Sequence, residues 1–228
     1  MVNNRQYLNE AQGLPYADVK FLDIYQEGVV ILKNGLEKIR KAPLVIASTG
    51  NYLVVYEITL TDNDKRMKIK ELSRITHPGT AVRMKVLRPK TKQFNNQNKR
   101  TQSSTVFTTS SNGSLYCFQI RSIHFGIEEE SQVEIIQLND KWEGLHSMCC
   151  TTLDTCFNSG GNELTIVTGG EDGIVNVLHL RENDNYGEDD SYRYSTKFLL
   201  KGYSTGLPIT DVRYQIRDGV PGISNTQK

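Results

Sequence analysis

The 228-residue chain has no long apolar run, no surplus of either charge, and little tryptophan or cysteine. No stretch approaches the roughly 20 consecutive apolar residues that a membrane-spanning helix needs. With 27 Lys and Arg against 26 Asp and Glu, no bulk field draws it to nucleic acid or to an anionic membrane. Neither direct nucleic-acid binding nor membrane insertion is expected. The opening MVNNRQYLNEAQGLPYAD lacks the apolar core of a signal peptide, which predicts an intracellular protein. Four cysteines at irregular spacing suit a reducing compartment better than a disulfide framework. Long helix-period segments are missing too, while eleven Tyr, seven Phe and many Val, Ile and Thr favour strands.

Catalytic signatures are equally scarce. There is no G-x-S-x-G elbow, no H-E-x-x-H pair and no phosphate-cradling G-x-x-x-x-G-K-[ST]. The four histidines, His77, His124, His146 and His179, are scattered through positions that packing and turns explain. A zinc site needs thiolates and imidazoles in short paired spacings. His146, Cys149, Cys150 and Cys156 do not form two such pairs, and three of them fall on one alternating segment whose neighbours face opposite ways. No catalytic, cofactor-binding or metal-binding residue is therefore assigned, and an enzyme is not expected. Asn112-Gly113-Ser114 matches a glycosylation acceptor, but it reads better as a hairpin turn.

What the chain does contain is repetition. PLVIASTGNYLVVYEIT, STVFTTSSNGSLYCFQI and LTIVTGGEDGIVNVLHL each pair two alternating apolar runs across a small or polar turn. Asn112-Gly113 and Asp172-Gly173 predict two-residue type I′ turns. Tyr56, Phe118 and Leu178 share one position and Ile58, Ile120 and Leu180 another, at steps of 62 and 60 residues. A second unit recurs at Asp18–Phe21, Arg83–Val86, Ser147–Cys150 and Asp211–Tyr214, at steps of 65, 64 and 64. Between each hairpin and the next such unit lies a short alternating segment: Met67–Ile75, Val133–Leu138 and Lys197–Leu200.

Four strands per step is one propeller blade. A WD-type blade is roughly 40–45 residues, so the longer step predicts inserted loops. They are placed at Gln26–Lys41, Pro89–Ser104, Arg121–Gln132 and Arg181–Thr196. The basic run KVLRPKTKQFNNQNKR at 85–100 and the acidic run ENDNYGEDD at 182–190 are read as solvated loops. The expected fold class is all-β: about three complete blades plus one extra strand, in an incomplete ring. Residues 1–16 form an N-terminal extension, 17–216 the propeller part and 217–228 a disordered tail. A chain ending there is expected to be the N-terminal part of a longer product.

With these units in register, ASTGNYLVVYEI, THPGTAVRMKVL, FTTSSNGSLYCF, ELTIVTGGEDGIVNVLHL and GLPITDVRYQI resemble the WD-repeat family. The likeness is greatest to its subunits in the outer-ring complex of the nuclear pore. No Trp-Asp pair ends a hairpin, and the only tryptophan, Trp142, lies outside them. A Gly-His pair before the inner strands is missing, although His77-Pro78-Gly79 stands near that place. In the third unit Thr168 and Asp172 match two members of the family's side-chain network, whose His and Trp are expected to be absent. The resemblance implies a non-catalytic scaffold in the nucleus, at the nuclear envelope and in some animals at kinetochores. Its implied partners are other proteins, helical-solenoid and WD-repeat nucleoporins. A WD-repeat substrate adaptor or a peptide-reading module of another complex is the alternative.

Overall fold

The computed structural model describes residues 16–31, 37–61, 66–87, 90–93, 100–124, 132–157, 163–183, 193–204, 206–217 and 220–224. Among these there is no helix, and the chain runs as a succession of antiparallel meanders. Strands β1 (Tyr16–Ile31), β2 (Glu37–Thr49), β3 (Tyr52–Thr61) and β4 (Arg66–Thr76) form the first sheet in chain order. The second sheet holds β5 (Ala81–Val86), β6 (Lys90–Gln93), β7 (Arg100–Ser110), β8 (Leu115–His124) and β9 (Gln132–Trp142). Its order is β5-β7-β8-β9, with β6 paired to β7. The third, again in chain order, is β10 (Cys150–Phe157), β11 (Glu163–Gly170), β12 (Ile174–Glu182) and β13 (Tyr194–Ser204). A two-stranded sheet of β14 (Arg213–Arg217) and β15 (Val220–Ser224) follows.

The residues gather into two compact units, one of Met1–Ala81, Arg88–Ser104 and Arg121–Ile135, the other of Val82–Leu87, Thr105–Ile120 and Ile136–Lys228. In the first, the central hairpin β2–β3 carries the core: Leu44, Ile46, Leu53 and Val55 are fully buried. In the second, one continuous cluster joins neighbouring sheets. Phe107, Leu115, Cys117 and Leu138 come from one sheet, and Leu164, Ile166, Leu178, Leu180 and Tyr194 from the next. Phe107 anchors it, with its ring 5.6 Å from Tyr194 and 6.0 Å from Trp142. Burying Phe, Leu and Ile side chains here contributes on the order of 2 kcal/mol each. Trp142 also donates its indole N–H to Thr196 Oγ1 at 2.9 Å.

All three expected hairpins are present, with Val45 opposite Tyr56 and Ile166 opposite Leu178. Several finer expectations are corrected. The turns at Asn112-Gly113 and Asp172-Gly173 are not two-residue loops. Gly113 N–H donates to Ser110 O and Gly173 N–H to Gly170 O, both at 3.1 Å, with the glycines at φ +79° and +74°. This is the three-residue hairpin loop that ends in a left-handed glycine. The Asn and Asp side chains select it, because Asn112 Oδ1 accepts from Ser114 N–H and Asp172 Oδ1 from Ile174 N–H, each at 3.1 Å. Only the first hairpin has the two-residue loop, Gly50-Asn51.

The inserted loops are corrected as well. Much of Gln26–Lys41 extends the β1–β2 ladder, from Gln26 opposite Ala42 to Ile31 opposite Glu37. Within Pro89–Ser104, β6 folds back onto β7, with Lys90 opposite Ser103. Backbone groups that leave a sheet end can keep pairing with each other, and charge on both sides of such a ribbon does not prevent it. The remaining parts of the insertions, 32–36, 94–99, 125–131 and 184–192, lie outside the described residues, as do 1–15 of the extension. The tail expected to be disordered instead places Val220–Ser224 in β15, with Val220 opposite Arg217 and Ser224 opposite Arg213. Pro221 is compatible with this position because an edge strand does not need its N–H.

Candidate functional site

The third sheet is entered through a short connection, Glu143–Cys149, that lies across hairpin turns. Sequence periodicity assigned Ser147–Cys150 to a strand; the strand begins only at Cys150. The reason is that Ser147 N–H is taken by a side chain, donating to Asp172 Oδ2 at 2.9 Å, so the ladder cannot include it. This strap is anchored on both flanks. His146 N–H donates to Gly113 O at 3.0 Å, and Glu171 N–H donates to Cys149 O at 2.9 Å. The same link recurs elsewhere in the chain. His77 N–H donates to Asn51 O at 2.6 Å, and Ile209 N–H donates to Gly170 O at 3.0 Å. Each connection is thus hydrogen-bonded to the turn of the hairpin before it.

The centre of this arrangement is the His146 side chain, which is fully buried. Its Nδ1 lies 3.0 Å from Asp172 Oδ1 and its Nε2 2.9 Å from Thr168 Oγ1. Asn176 Nδ2 donates to Leu145 O at 2.7 Å, which fixes the amide's orientation and leaves Nδ2 3.3 Å from His146 Nε2. The carboxylate facing Nδ1 and the Asn176 amide N–H group facing Nε2 favour the tautomer that carries its proton on Nδ1. Burial alone would disfavour the Asp172 carboxylate. Donors from His146, Ser147 and Ile174 outweigh that and hold it below the ordinary aspartate range.

This overturns the expectation that the third unit lacks its histidine. In place of an adjacent Gly-His pair the chain has Gly144-Leu145-His146, one residue longer. Leu178, expected from the resemblance to stand where the family has tryptophan, is fully buried in the apolar cluster. Asn176, which sequence reasoning noted only as a feature of the hairpin, supplies a further donor to His146. Its own Oδ1 is buried without a partner. Thr168, His146 and Asp172 stand in the order of a nucleophile, base and orienting carboxylate. Thr168 is 0% exposed, so no substrate reaches its hydroxyl and the triad works as a structural clamp.

The other residues considered from sequence are dispersed. Cys150 is buried, its thiol pushed up to about 12 by desolvation and the neighbouring Cys149. Cys117, Cys149 and Cys156 are also raised, in each case chiefly by burial. Thiols held protonated are poor ligands and nucleophiles, and no group of three or more His, Cys, Asp or Glu among the described residues is placed to hold a metal. His179 lies 3.1 Å from Thr165 Oγ1 and 3.4 Å from Glu163 Oε2. Asn112 is committed to its turn and to the Tyr116 hydroxyl, 2.9 Å away. The side chain of His124 lies outside the described residues, as does most of the basic run beyond Leu87. Lys85 at its start ion-pairs with Asp154 at 2.7 Å, and Asp154 also accepts Tyr214 N–H at 2.9 Å.

His77 responds to acid. Burial, opposed only by its hydrogen bond to Gly79 O, lowers it to about 4. The unfolded imidazole takes a proton near its ordinary 6.5, while the folded one resists until about 4. His77 therefore adds nothing against folding above pH 6.5 and costs stability progressively as pH falls to about 4, on the order of 3 kcal/mol in all. Denaturant titrations across that interval should show the loss, and His77→Asn should flatten the profile. An unchanged slope in the variant would assign the acid sensitivity to other groups.

No helix among the described residues is long and apolar enough to cross a membrane. No protein-family model matches the chain, and no curated protein matches it.

Proposed function

We propose that the chain is a non-catalytic WD-repeat scaffold, a run of propeller blades that presents surfaces to other proteins. The observation that carries this reading is the recurring strap-to-turn hydrogen bond, at His77–Asn51, His146–Gly113 and Ile209–Gly170. A repeat protein needs such a device, since each unit buries its surface only against a neighbour. Two four-stranded antiparallel sheets, a five-stranded one between them in chain order and the buried His146–Thr168–Asp172 clamp are further support.

The sequence segments that resemble outer-ring nucleoporins, nucleoporin forty-three above all, narrow the proposal to the nuclear pore scaffold. Its partners are then helical-solenoid and WD-repeat subunits of that ring, and its place is the nuclear envelope. The test is cross-linking followed by affinity purification of the tagged chain from cells. Recovery of outer-ring subunits as direct cross-links is the expected result. Direct cross-links to ubiquitin-ligase or chromatin subunits in their place would overturn it in favour of an adaptor.

A further inference from the structure

The straps also carry exposed apolar side chains at matching places. In the second compact unit, Met148 is 53% exposed on the strap before β10, and Leu207 is 68% exposed on the connection before β14. Both straps border one turn, Glu171–Gly173. On one flank Glu171 N–H bonds Cys149 O and the Asp172 carboxylate holds Ser147. On the other, Ile209 N–H bonds Gly170 O, and Leu207 O lies 2.9 Å from where a Cβ on Gly173 would stand. The straps that carry Met148 and Leu207 thus flank, on two sides, the turn that carries the exposed Glu171.

The charges around them are unequal in their commitments. Asp172 is spent on His146 and Ser147, Asp211 pairs with Arg213 at 3.1 Å and Glu143 with Lys141 at 3.0 Å. Glu171 makes no ion pair with a described residue. An exposed carboxylate with no ion-pair partner among the described residues, on a turn flanked by two straps that each carry an exposed apolar side chain, is complementary to one chemistry, a cation flanked by apolar groups. The backbone beneath is pinned by five hydrogen bonds: Glu171 to Cys149, Gly173 to Gly170, Ile209 to Gly170, and Ser147 and Ile174 to Asp172. A partner would thus bind without first ordering the surface.

We infer that Met148, Glu171 and Leu207 form a docking surface for an extended peptide segment whose arginine or lysine is bracketed by apolar residues. The inference goes beyond the scaffold reading and draws on this chain's geometry alone.

Fluorescence anisotropy on the full chain tests it with two labelled synthetic peptides, one with an arginine between leucines and one with glutamate in the arginine's place. The arginine peptide should bind and the glutamate peptide should not. Leu207→Ser and Met148→Ser should each weaken binding about tenfold, as central anchors do, with an unchanged thermal midpoint because both side chains already face solvent. Glu171→Lys should transfer the preference to the glutamate peptide. Failure of the arginine peptide to bind, equal binding of both, or variants without effect would overturn the inference. So would self-association relieved by Leu207→Ser, which would give the surface to a second copy. Cross-links to outer-ring subunits would survive any of these failures, so the surface and the scaffold reading fail separately.

Discussion

Replacing Gly113 with alanine should be among the most damaging single changes in the described residues, although it adds one methyl group. The residue sits at φ +79°, where a Cβ already costs about 1 kcal/mol. The larger cost is steric. A Cβ there would stand 2.1 Å from His146 O and 2.6 Å from Met148 O, both backbone atoms of the strap. The strap cannot yield, because its His146 side chain is clamped from behind and its N–H is bonded to Gly113 O. Relief requires breaking that bond and shifting the turn, for a total on the order of 4 kcal/mol. Gly144→Ala is the matched control: its φ is also positive, at +64°, but nothing lies within 4 Å of its Cβ. It should lose only about the 1 kcal/mol of backbone strain. Urea denaturation of the two variants separates the effects. Equal losses would mean that the strap is not seated on the turn.

What could be read beforehand, and what could not, follows from the range of each interaction. Alternation and turn residues are local, so the three hairpins and the outer strands β4, β9 and β13 were legible from Tyr56, Phe118 and Leu178 and their neighbours. The loop type was not, because it depends on where the Asn112 and Asp172 side chains send their oxygens, which a dipeptide rule ignores. The clamp was half legible. Thr168 and Asp172 lie within one hairpin, but His146 lies 26 residues before Asp172, on a segment that periodicity assigned to a strand. Asp172 takes the Ser147 N–H, so the ladder starts only at Cys150, which alternation along the segment does not reveal. Charge content misjudged the insertions for a related reason. Low hydrophobicity predicts exposure, and β6 and the far end of β1–β2 satisfy backbone groups without needing an apolar face.

Asp172→Ala should approach the Gly113→Ala loss by a different route. The carboxylate serves three donors: the His146 ring, Ser147 N–H at 2.9 Å and Ile174 N–H at 3.1 Å. Removing it leaves a fully buried imidazole N–H with no acceptor and frees the strap, a loss on the order of 3–5 kcal/mol. Asp172→Asn divides the two roles. Asparagine already closes the equivalent turn at Asn112, accepting Ser114 N–H at 3.1 Å, so the hairpin should survive. An amide has one acceptor atom where the carboxylate has two, so it cannot serve both the histidine and Ser147. Its NH2 would face a donor, and about half of the alanine loss should remain. Acid should reproduce the effect in the unmodified chain. Since the Asp172 pKa is depressed, its stabilisation is present above the ordinary aspartate value of 3.8 and disappears as pH falls through the lower folded one. The measurement is the ring proton and nitrogen shifts of His146 by NMR, beside denaturant stability. A proton on Nδ1 in the parent, and a mixture of tautomers in Asp172→Asn, is the expected pattern. An unaltered tautomer with full stability would show that Asp172 does not orient His146, and the strap would then be held by its backbone bonds alone.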